Sequence, residues 1–183
     1  MRWDKLFSDL DSQVEAWERD QLEAEVADRV AIEQASVLLM DRVRGSVGRA
    51  LRCEVAGGQL WQGVLLGHGP DWLLLGRDAD ERSPLLLPAG GLTGVVGLAE
   101  RVRPLDTLSL VGRRATLAMA LRRLAGAEQP VRLYRADAAP LSGRIAVVGR
   151  DYVEVLDAVA DAACVVPVDV VVALELSAAP RSR

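Results

Sequence analysis

The side chains that most often perform nucleophilic, acid–base or metal chemistry are few in this chain of 183 residues. The chain has one histidine, His68, and two well-separated cysteines, Cys53 and Cys164, which form neither an ordinary zinc set nor a nucleophile–histidine pair. Asp71 and Asp151 occupy matching turns, where a short carboxylate has a structural role. The chain also lacks phosphate-binding glycine loops and a nucleophile elbow. The sequence therefore predicts a protein that is not an enzyme and has no catalytic residue, cofactor or metal.

The arginines are candidates for binding the phosphates of a nucleic acid, because phosphate recognition needs only clustered cations. Residues 101–150 hold ten arginines and three acids, whereas residues 1–34 hold four bases and ten acids. Helical spacing places Arg113 and Arg122 on opposite faces, and stacking aromatics are scarce. Binding to RNA or DNA is therefore the alternative function. The arginines that would carry it are Arg113, Arg114, Arg122, Arg123, Arg132, Arg135, Arg144 and Arg150.

An apolar stripe near the N-terminus is the candidate for binding a protein partner. Its residues are spaced four and three apart, as in the seam of a coiled coil. Such a stripe is too apolar for an isolated helix in water, so it predicts docking onto another protein or another copy. The sequence thus favours a non-catalytic assembly or adaptor protein. The stripe consists of Trp3, Phe7, Leu10, Val14 and Trp17.

The composition predicts a folded chain that does not enter a membrane. Hydrophobic residues make up 50% of the chain and charged residues 26%, enough to bury a core. No apolar run approaches the roughly 18 residues that span a bilayer. Acids near the N-terminus stand where a signal peptide would be apolar. We therefore expect a cytoplasmic protein without membrane contact or a small-molecule substrate.

Changes in charge and hydrophobic period predict four parts and two helices. One helix is expected from Ser8 to Arg44, since Ser8 and Asp11 resemble a capping box, and the other from Leu108 to Leu124. The four parts are an acidic helical arm over 1–34, a first helix-plus-strands unit over 35–100, a second such unit over 101–176, and a disordered tail over 177–183.

Ten short strands are predicted where apolar runs are bounded by turn residues. In the first unit they are Leu51–Val55, Gln59–Leu66, Trp72–Gly76, Ser83–Leu87 and Leu92–Leu98. In the second unit they are Val131–Arg135, Leu141–Val148, Tyr152–Leu156, Cys164–Val166 and Val170–Leu176.

The two sets of strands share a pattern at an offset of 80 residues, which predicts a tandem duplication. In each set, a glycine lies inside the second strand and Gly-x-Asp-aromatic precedes the third. Glycine within a strand marks a bend or a close approach, and a turn aspartate caps local N–H groups. The predicted structural turn and bend residues are Gly63, Gly69, Asp71, Gly143, Gly149 and Asp151.

This order of elements resembles the Sm-like family. The matching segments run from Val55-Ala-Gly-Gly-Gln-Leu-Trp-Gln-Gly63 through Leu75, and from Leu141 through Val155. The resemblance implies an α+β, mainly β fold. It would consist of a long N-terminal helix and two tandem five-stranded Sm-like small barrels, each preceded by a helix.

The resemblance does not extend to the RNA pocket of that family. RNA-binding members carry an asparagine shortly after the turn aspartate, and a basic residue between strands four and five. Here Trp72 and Tyr152 follow the aspartates, the connections Pro88–Gly91 and Pro167–Asp169 contain no base, and the chain has no asparagine. We therefore expect only weak, salt-dependent binding of oligo-U.

The edges of the predicted strands point to assembly. A small open barrel leaves its fourth and fifth strands unpaired at their outer edges, and such edges template further pairing. One chain can make a single internal pairing, either Leu85–Leu87 with Val170–Leu174 or Cys164–Val166 with Leu92–Val96. Either choice leaves one edge at each end, to be used between copies or covered by the N-terminal helix.

Overall fold

The computed structural model describes residues 37–77, 83–100, 115–160 and 162–177, together with Glu25 and Ala35. In this part of the chain, ten strands and two α-helices lie within a compact unit that starts at Leu39. We call residues 39–100 of this unit the first half and residues 115–177 the second half.

All ten predicted strands form, with ends displaced by no more than three residues. In the first half they are β1 (Ala50–Val55), β2 (Gln59–His68), β3 (Trp72–Gly76), β4 (Leu85–Pro88) and β5 (Leu92–Val96). In the second half they are β6 (Pro130–Arg135), β7 (Ala138–Val148), β8 (Tyr152–Asp157), β9 (Ala163–Pro167) and β10 (Val171–Leu176). Short 3-10 turns, Ala89–Gly91 and Val168–Val170, connect β4 to β5 and β9 to β10.

The ten strands form one antiparallel sheet in the order β5-β1-β2-β3-β4-β10-β6-β7-β8-β9. The prediction of two tandem five-stranded Sm-like small barrels is therefore wrong. Strand β4 pairs with β10, placing Leu86 opposite Leu174 and Leu85 opposite Glu175. This is the first of the two internal pairings that the sequence allowed.

The burial of β4 and β10 explains why the halves share one sheet. Leu85 and Leu87 point into one core and Leu86 into another, so β4 is apolar on both faces. On β10, four consecutive residues, Val171–Leu174, are buried. A strand that is apolar on both faces needs cover on both, and a position in the middle of a sheet provides it. In a separate small barrel, one face of each strand would meet water.

Two hydrophobic cores lie on the two sides of this central pair, and each takes residues from both halves. The first core consists of Val43, Leu51, Cys53, Val55, Leu65, Leu73, Leu75, Leu85, Leu87, Val172 and Ala173. The second core consists of Leu86, Leu117, Leu121, Val131, Leu133, Leu141, Ile145, Val153, Val155, Val166, Val171, Leu174 and Leu176.

The helices in the described residues are short. Helix α1 covers Leu39–Arg44 and helix α2 covers Leu117–Gly126, and neither is long and apolar enough to cross a membrane. The prediction of one long N-terminal helix through Arg44 is wrong, because Val37 and Leu38 are not helical and separate the helical residue Ala35 from helix α1. Helical stability in proteins comes mostly from packing, and α1 has only Val43 fully covered.

The glycines of the second strands permit a close approach between neighbouring strands. A methyl group on Gly63 would overlap the carbonyl oxygen of Gly76, and one on Gly143 would overlap that of Leu156. A β-bulge follows each glycine, at Leu65–Gly67 in the first half and at Ile145–Val147 in the second. Bulges increase local twist and bend, so the sheet curves at equivalent places in its two halves.

We predict that Gly63→Ala and Gly143→Ala each lower the free energy of unfolding by about 1–3 kcal/mol, because the added methyl displaces a neighbouring strand. Thermal melts should show a drop of ~2–4 °C per kcal/mol. Gly90→Ala is the matched control, since a methyl there meets no atom within 4 Å. Melting of both variants at the temperature of the Gly90→Ala protein would refute the close-approach account.

Candidate functional site

The two halves of the described chain meet across β4 and β10. Leu86 is 3% exposed and lies opposite the fully buried Leu174. Trp72 and Leu74 of the first half pack against the second core, which also contains Leu117 of α2. We call these strands and the side chains packed across them the internal junction.

A polar and aromatic cluster closes the first core at its side facing the second half. Trp61 of β2 meets Tyr134 of β6 edge-on, with ring centroids 4.8 Å apart, although three strands lie between β2 and β6 in the sheet. Tyr134 Oη donates to Glu175 Oε2 at 2.8 Å, and Arg77 Nη1 donates to Glu175 Oε1 at 2.8 Å. The Arg77 guanidinium lies 5.3 Å from the centroid of the Trp61 ring. The contact requires a strongly curved sheet.

Burial raises the pKa values of two groups near this core, Tyr134 and Cys53. It raises the pKa of Tyr134, and the hydrogen bond to Glu175 together with the negative charge of Glu175 raises it further. Burial raises the pKa of the Cys53 thiol to about 11, so this group is a poor nucleophile near neutral pH. His68 Nδ1 lies 3.2 Å from the Gly69 carbonyl oxygen. Across the described residues, no three His, Cys, Asp or Glu side chains are grouped to hold a metal ion.

The turn that precedes β3 holds the start of helix α2. Asp71 Oδ1 accepts a hydrogen bond of 2.8 Å from the Leu117 amide, and Trp72 Nε1 donates one of 2.7 Å to the Ala115 carbonyl. Leu117 is the first residue of α2, where a carboxylate satisfies a free N–H and favours the helix dipole. Gly69 has no room for a side chain, because a methyl would overlap the Trp72 ring.

The corresponding turn in the second half has the same backbone geometry but holds no helix. Its glycine amide donates to the carbonyl of the aromatic residue three positions on, at 2.9 Å from Gly149 to Tyr152 and at 2.9 Å from Gly69 to Trp72. The Asp151 side chain accepts no hydrogen bond from any described residue. The second half thus repeats the turn, but the Asp151 carboxylate caps no described helix.

The edge strands at the two ends of the sheet are counterparts of the two strands of the internal junction, but no described strand pairs with their outer edges. Strand β9 is the counterpart of β4, β5 is the counterpart of β10, and neither edge pairs with a further strand among the described residues. Val165 of β9 is 59% exposed, whereas its counterpart Leu86 is 3% exposed. Leu39, which begins α1, is 44% exposed, whereas Leu117, which begins α2, is 7% exposed. Each end of the described sheet therefore exposes residues whose counterparts are buried in the internal junction.

Two of the arginines considered for nucleic-acid binding line one groove. This groove, of about 660 Å³, contains Arg132 and Arg144 but also Asp157 and Glu175. Arg144 also pairs with Glu128, with Nη1 and Oε2 2.9 Å apart. Acids therefore balance the bases around this groove, which weakens it as a phosphate site.

The remaining predicted arginines lie elsewhere or outside the described residues. Arg122 and Arg123 are exposed on α2, and Arg150 is exposed in the turn between β7 and β8. Arg135 donates to the Ala139 carbonyl at 2.6 Å. Arg113 and Arg114 lie outside the described residues, and so do the arm over 1–34 apart from Glu25, the tail beyond Ser177, and the stripe of Trp3, Phe7, Leu10, Val14 and Trp17.

Sequence reasoning identified the Asp71 turn but not the contact it makes, and it missed the Trp61–Tyr134 pair. Both interactions cross between the halves, and no local pattern reports such contacts. One signal was present, since the strands Leu85–Leu87 and Val170–Leu174 are unbroken apolar runs. Such runs are typical of strands buried on both faces.

We predict that Asp71→Ala lowers the free energy of unfolding by about 1 kcal/mol, because the Leu117 amide loses its partner. The matched control is Asp151→Ala, which removes the same group from a turn of the same backbone geometry. In dilute protein, thermal melts should show a loss for the first variant that is at least twice that for the second. Equal melting temperatures would show that the cap contributes nothing.

No family model matches the chain, and no curated protein matches its sequence. The resemblance to the Sm-like family therefore has no support from a family match, and the single ten-stranded sheet contradicts the paired barrels that it implied.

Proposed function

We propose that this protein is a non-catalytic assembly protein whose copies join edge to edge, β9 of one copy pairing with β5 of the next. The observation that carries the proposal is the contrast between Leu86, buried in the internal junction, and its exposed counterpart Val165. A free strand edge presents unpaired N–H and C=O groups, which makes it a template for a further strand. Pairing between copies would satisfy these groups and cover the valines.

The internal junction supplies the register of the proposed contact. Aligning the two halves on Pro88 and Pro167 makes Val165 the counterpart of Leu86, and Val95 the counterpart of Leu174. Because Leu86 lies opposite Leu174, Val165 of one copy should lie opposite Val95 of the next. One step along, Cys164 should lie opposite Val96, as Leu85 lies opposite Glu175.

The N-terminal stripe defined above is the second element of the proposal. Its apolar spacing suits docking onto a protein surface, whether of another copy or of a different protein. We place this assembly in the cytoplasm, without membrane contact, a small-molecule substrate or a catalytic step. The alternative, association with RNA or DNA, has weaker support because Asp157 and Glu175 share the groove of Arg132 and Arg144.

We predict that Val96→Cys makes the protein form disulfide-linked chains through native Cys164 of the neighbouring copy. Directly opposed residues of antiparallel strands have Cα atoms about 4.5–5.5 Å apart, which a disulfide can span. Mild oxidation, quenching with an alkylating agent and a non-reducing gel should reveal a ladder of multimers. Cys53 should not compete, because it is buried and its pKa is raised to about 11.

Thr93→Cys is the matched control, since it lies on the same edge but out of register with Cys164. It should give far less linked product, and Cys164→Ala should abolish the ladder of the Val96→Cys protein. Light scattering over a dilution series should show the unmodified protein growing in mass with concentration. A mass that stays monomeric, together with no excess of linked product over the control, would overturn the proposed assembly.

A further inference from the structure

We infer that the contact between copies contains an ion pair, Glu154 of one copy with Arg42 of the next, at a place where the internal junction is apolar. This inference rests on the proposed edge-to-edge assembly and specifies the chemistry that selects the partner surface. The partner is a second copy of this chain.

The acidic side of the pair lies next to the open β9 edge. Glu154 of β8 is opposite Val165, just as Leu74 of β3 is opposite Leu86 in the first half. Leu74 packs against the second core, across the internal junction. Glu154 is the charged counterpart of that leucine, and its carboxylate forms no ion pair or hydrogen bond with any described residue.

Exposed valines flank this carboxylate. Val147 and Val165 stand opposite Glu154 on the neighbouring strands β7 and β9, and they are 43% and 59% exposed. A wholly apolar partner laid over the valines would strip water from the Glu154 carboxylate without replacing its hydrogen bonds, at a substantial cost in free energy. A fitting partner is therefore apolar with one basic group placed at Glu154.

The structure of α2 indicates where that basic group lies in a second copy. Leu117, Ala120 and Leu121 of α2 all belong to or pack against the second core, as Leu74 does. Helix α1 is the counterpart of α2 at the other end of the chain, next to the open β5 edge. The residue of α1 that takes the place of Ala120 is thus the candidate partner of Glu154.

The buried residues of the two helices align them. Leu39 and Leu117 begin their helices, and Val43 and Leu121 are the buried residues four positions on. This alignment places Arg42 at the position of Ala120. Its offset is 78 residues rather than the 80 of the strands, because the chain from Leu121 to β6 is two residues longer than the chain from Val43 to β1.

The two residues that differ between the internal junction and the ends of the molecule are complementary in charge at the ends. Where the internal junction has Leu74 and Ala120 against one core, the two ends of the molecule have Glu154 and Arg42. The Arg42 side chain is exposed, and toward described residues its only hydrogen bonds are long, 3.4 Å each from Nε and Nη2 to the Ala99 carbonyl oxygen, so it can be redirected at little cost. Charged groups that must be paired reject wrong surfaces as well as stabilise the right one.

The test uses two charge reversals that restore each other only between molecules. Glu154→Arg sets arginine against Arg42, and Arg42→Glu sets glutamate against Glu154, so each variant alone should self-associate at least ~10-fold more weakly than the unmodified protein. A mixture contains both complementary contacts and should recover association to within a few-fold of the unmodified protein. Sedimentation or light scattering over a dilution series measures all three samples.

Arg122→Glu is the control for Arg42→Glu, since it makes the same change at an exposed position of α2 and should leave association unchanged. Should Glu154→Arg fold poorly in a thermal melt, Glu154→Gln serves instead. It should weaken association and remove most of its dependence on salt.

The outcomes separate this inference from the proposed function. If the unmodified protein associates and cross-links through Val96→Cys, but the mixture associates no better than either variant, the ion pair is refuted and edge-to-edge assembly stands. If the unmodified protein does not associate at all, both are refuted. Recovery in the mixture supports the pair, because damage to the fold of either variant would not be repaired by mixing.

Discussion

The pairing of β4 with β10 is the constraint on which the rest of this structure depends. Leu86 and Leu174 meet at its centre, and each strand is apolar on both of its faces. Both faces of such a strand are buried only when the strand lies in the middle of a sheet. Burial of these faces therefore stabilises the pairing of the two halves in one sheet. The shared sheet then determines the two cores, each of which is completed by residues of the other half.

The same pairing determines what the molecule leaves exposed. Each half contributes one of its two edge strands to the internal junction, so the free edges belong to β5 and β9. These strands are the counterparts of the pair already joined, and the turn at Asp151 is the counterpart of the turn that holds α2. The described sheet therefore has an unpaired strand edge at each end, and the proposed assembly joins these two edges. If copies join as proposed, head to tail, they form closed rings or open filaments, depending on the rotation between copies.

The local structure was largely predictable from the sequence, whereas the pairing between halves was not. Apolar runs bounded by glycine, proline and aspartate located all ten strands, because strand ends are determined by neighbouring residues. The cap that Asp71 provides for Leu117 spans 46 residues, and the Trp61–Tyr134 contact depends on the curvature of five strands. Neither follows from spacing. The helical pattern before Leu39 overestimated the described helix, because spacing alone does not supply the packing that stabilises it.

For the candidate site too, local features were predictable from the sequence, whereas contacts between distant residues were not. The sequence located the glycines and aspartates of the two turns as a repeated motif. Only the structure shows that the two aspartates have different contacts. The Asp71 side chain holds a helix, and the Asp151 side chain has no hydrogen-bond partner among the described residues. Likewise, Arg132 and Arg144 were grouped by composition, but the sheet pairing sets the acids Glu175 and Asp157 beside them on the neighbouring strands β10 and β8. Sequence reasoning identified candidate residues, and the structure determined which of them act together.

Native-state hydrogen exchange tests the central claim most directly, because it measures the free energy at which each amide opens. If β4 and β10 make the two halves one cooperative unit, the amides of both strands should exchange only through global unfolding. Their opening free energy should equal that of the most protected amides in β3 and β8. The account is contradicted if the amides of β4 and β10 open at a clearly lower free energy, while those of β3 and β8 remain protected in two separately stable halves.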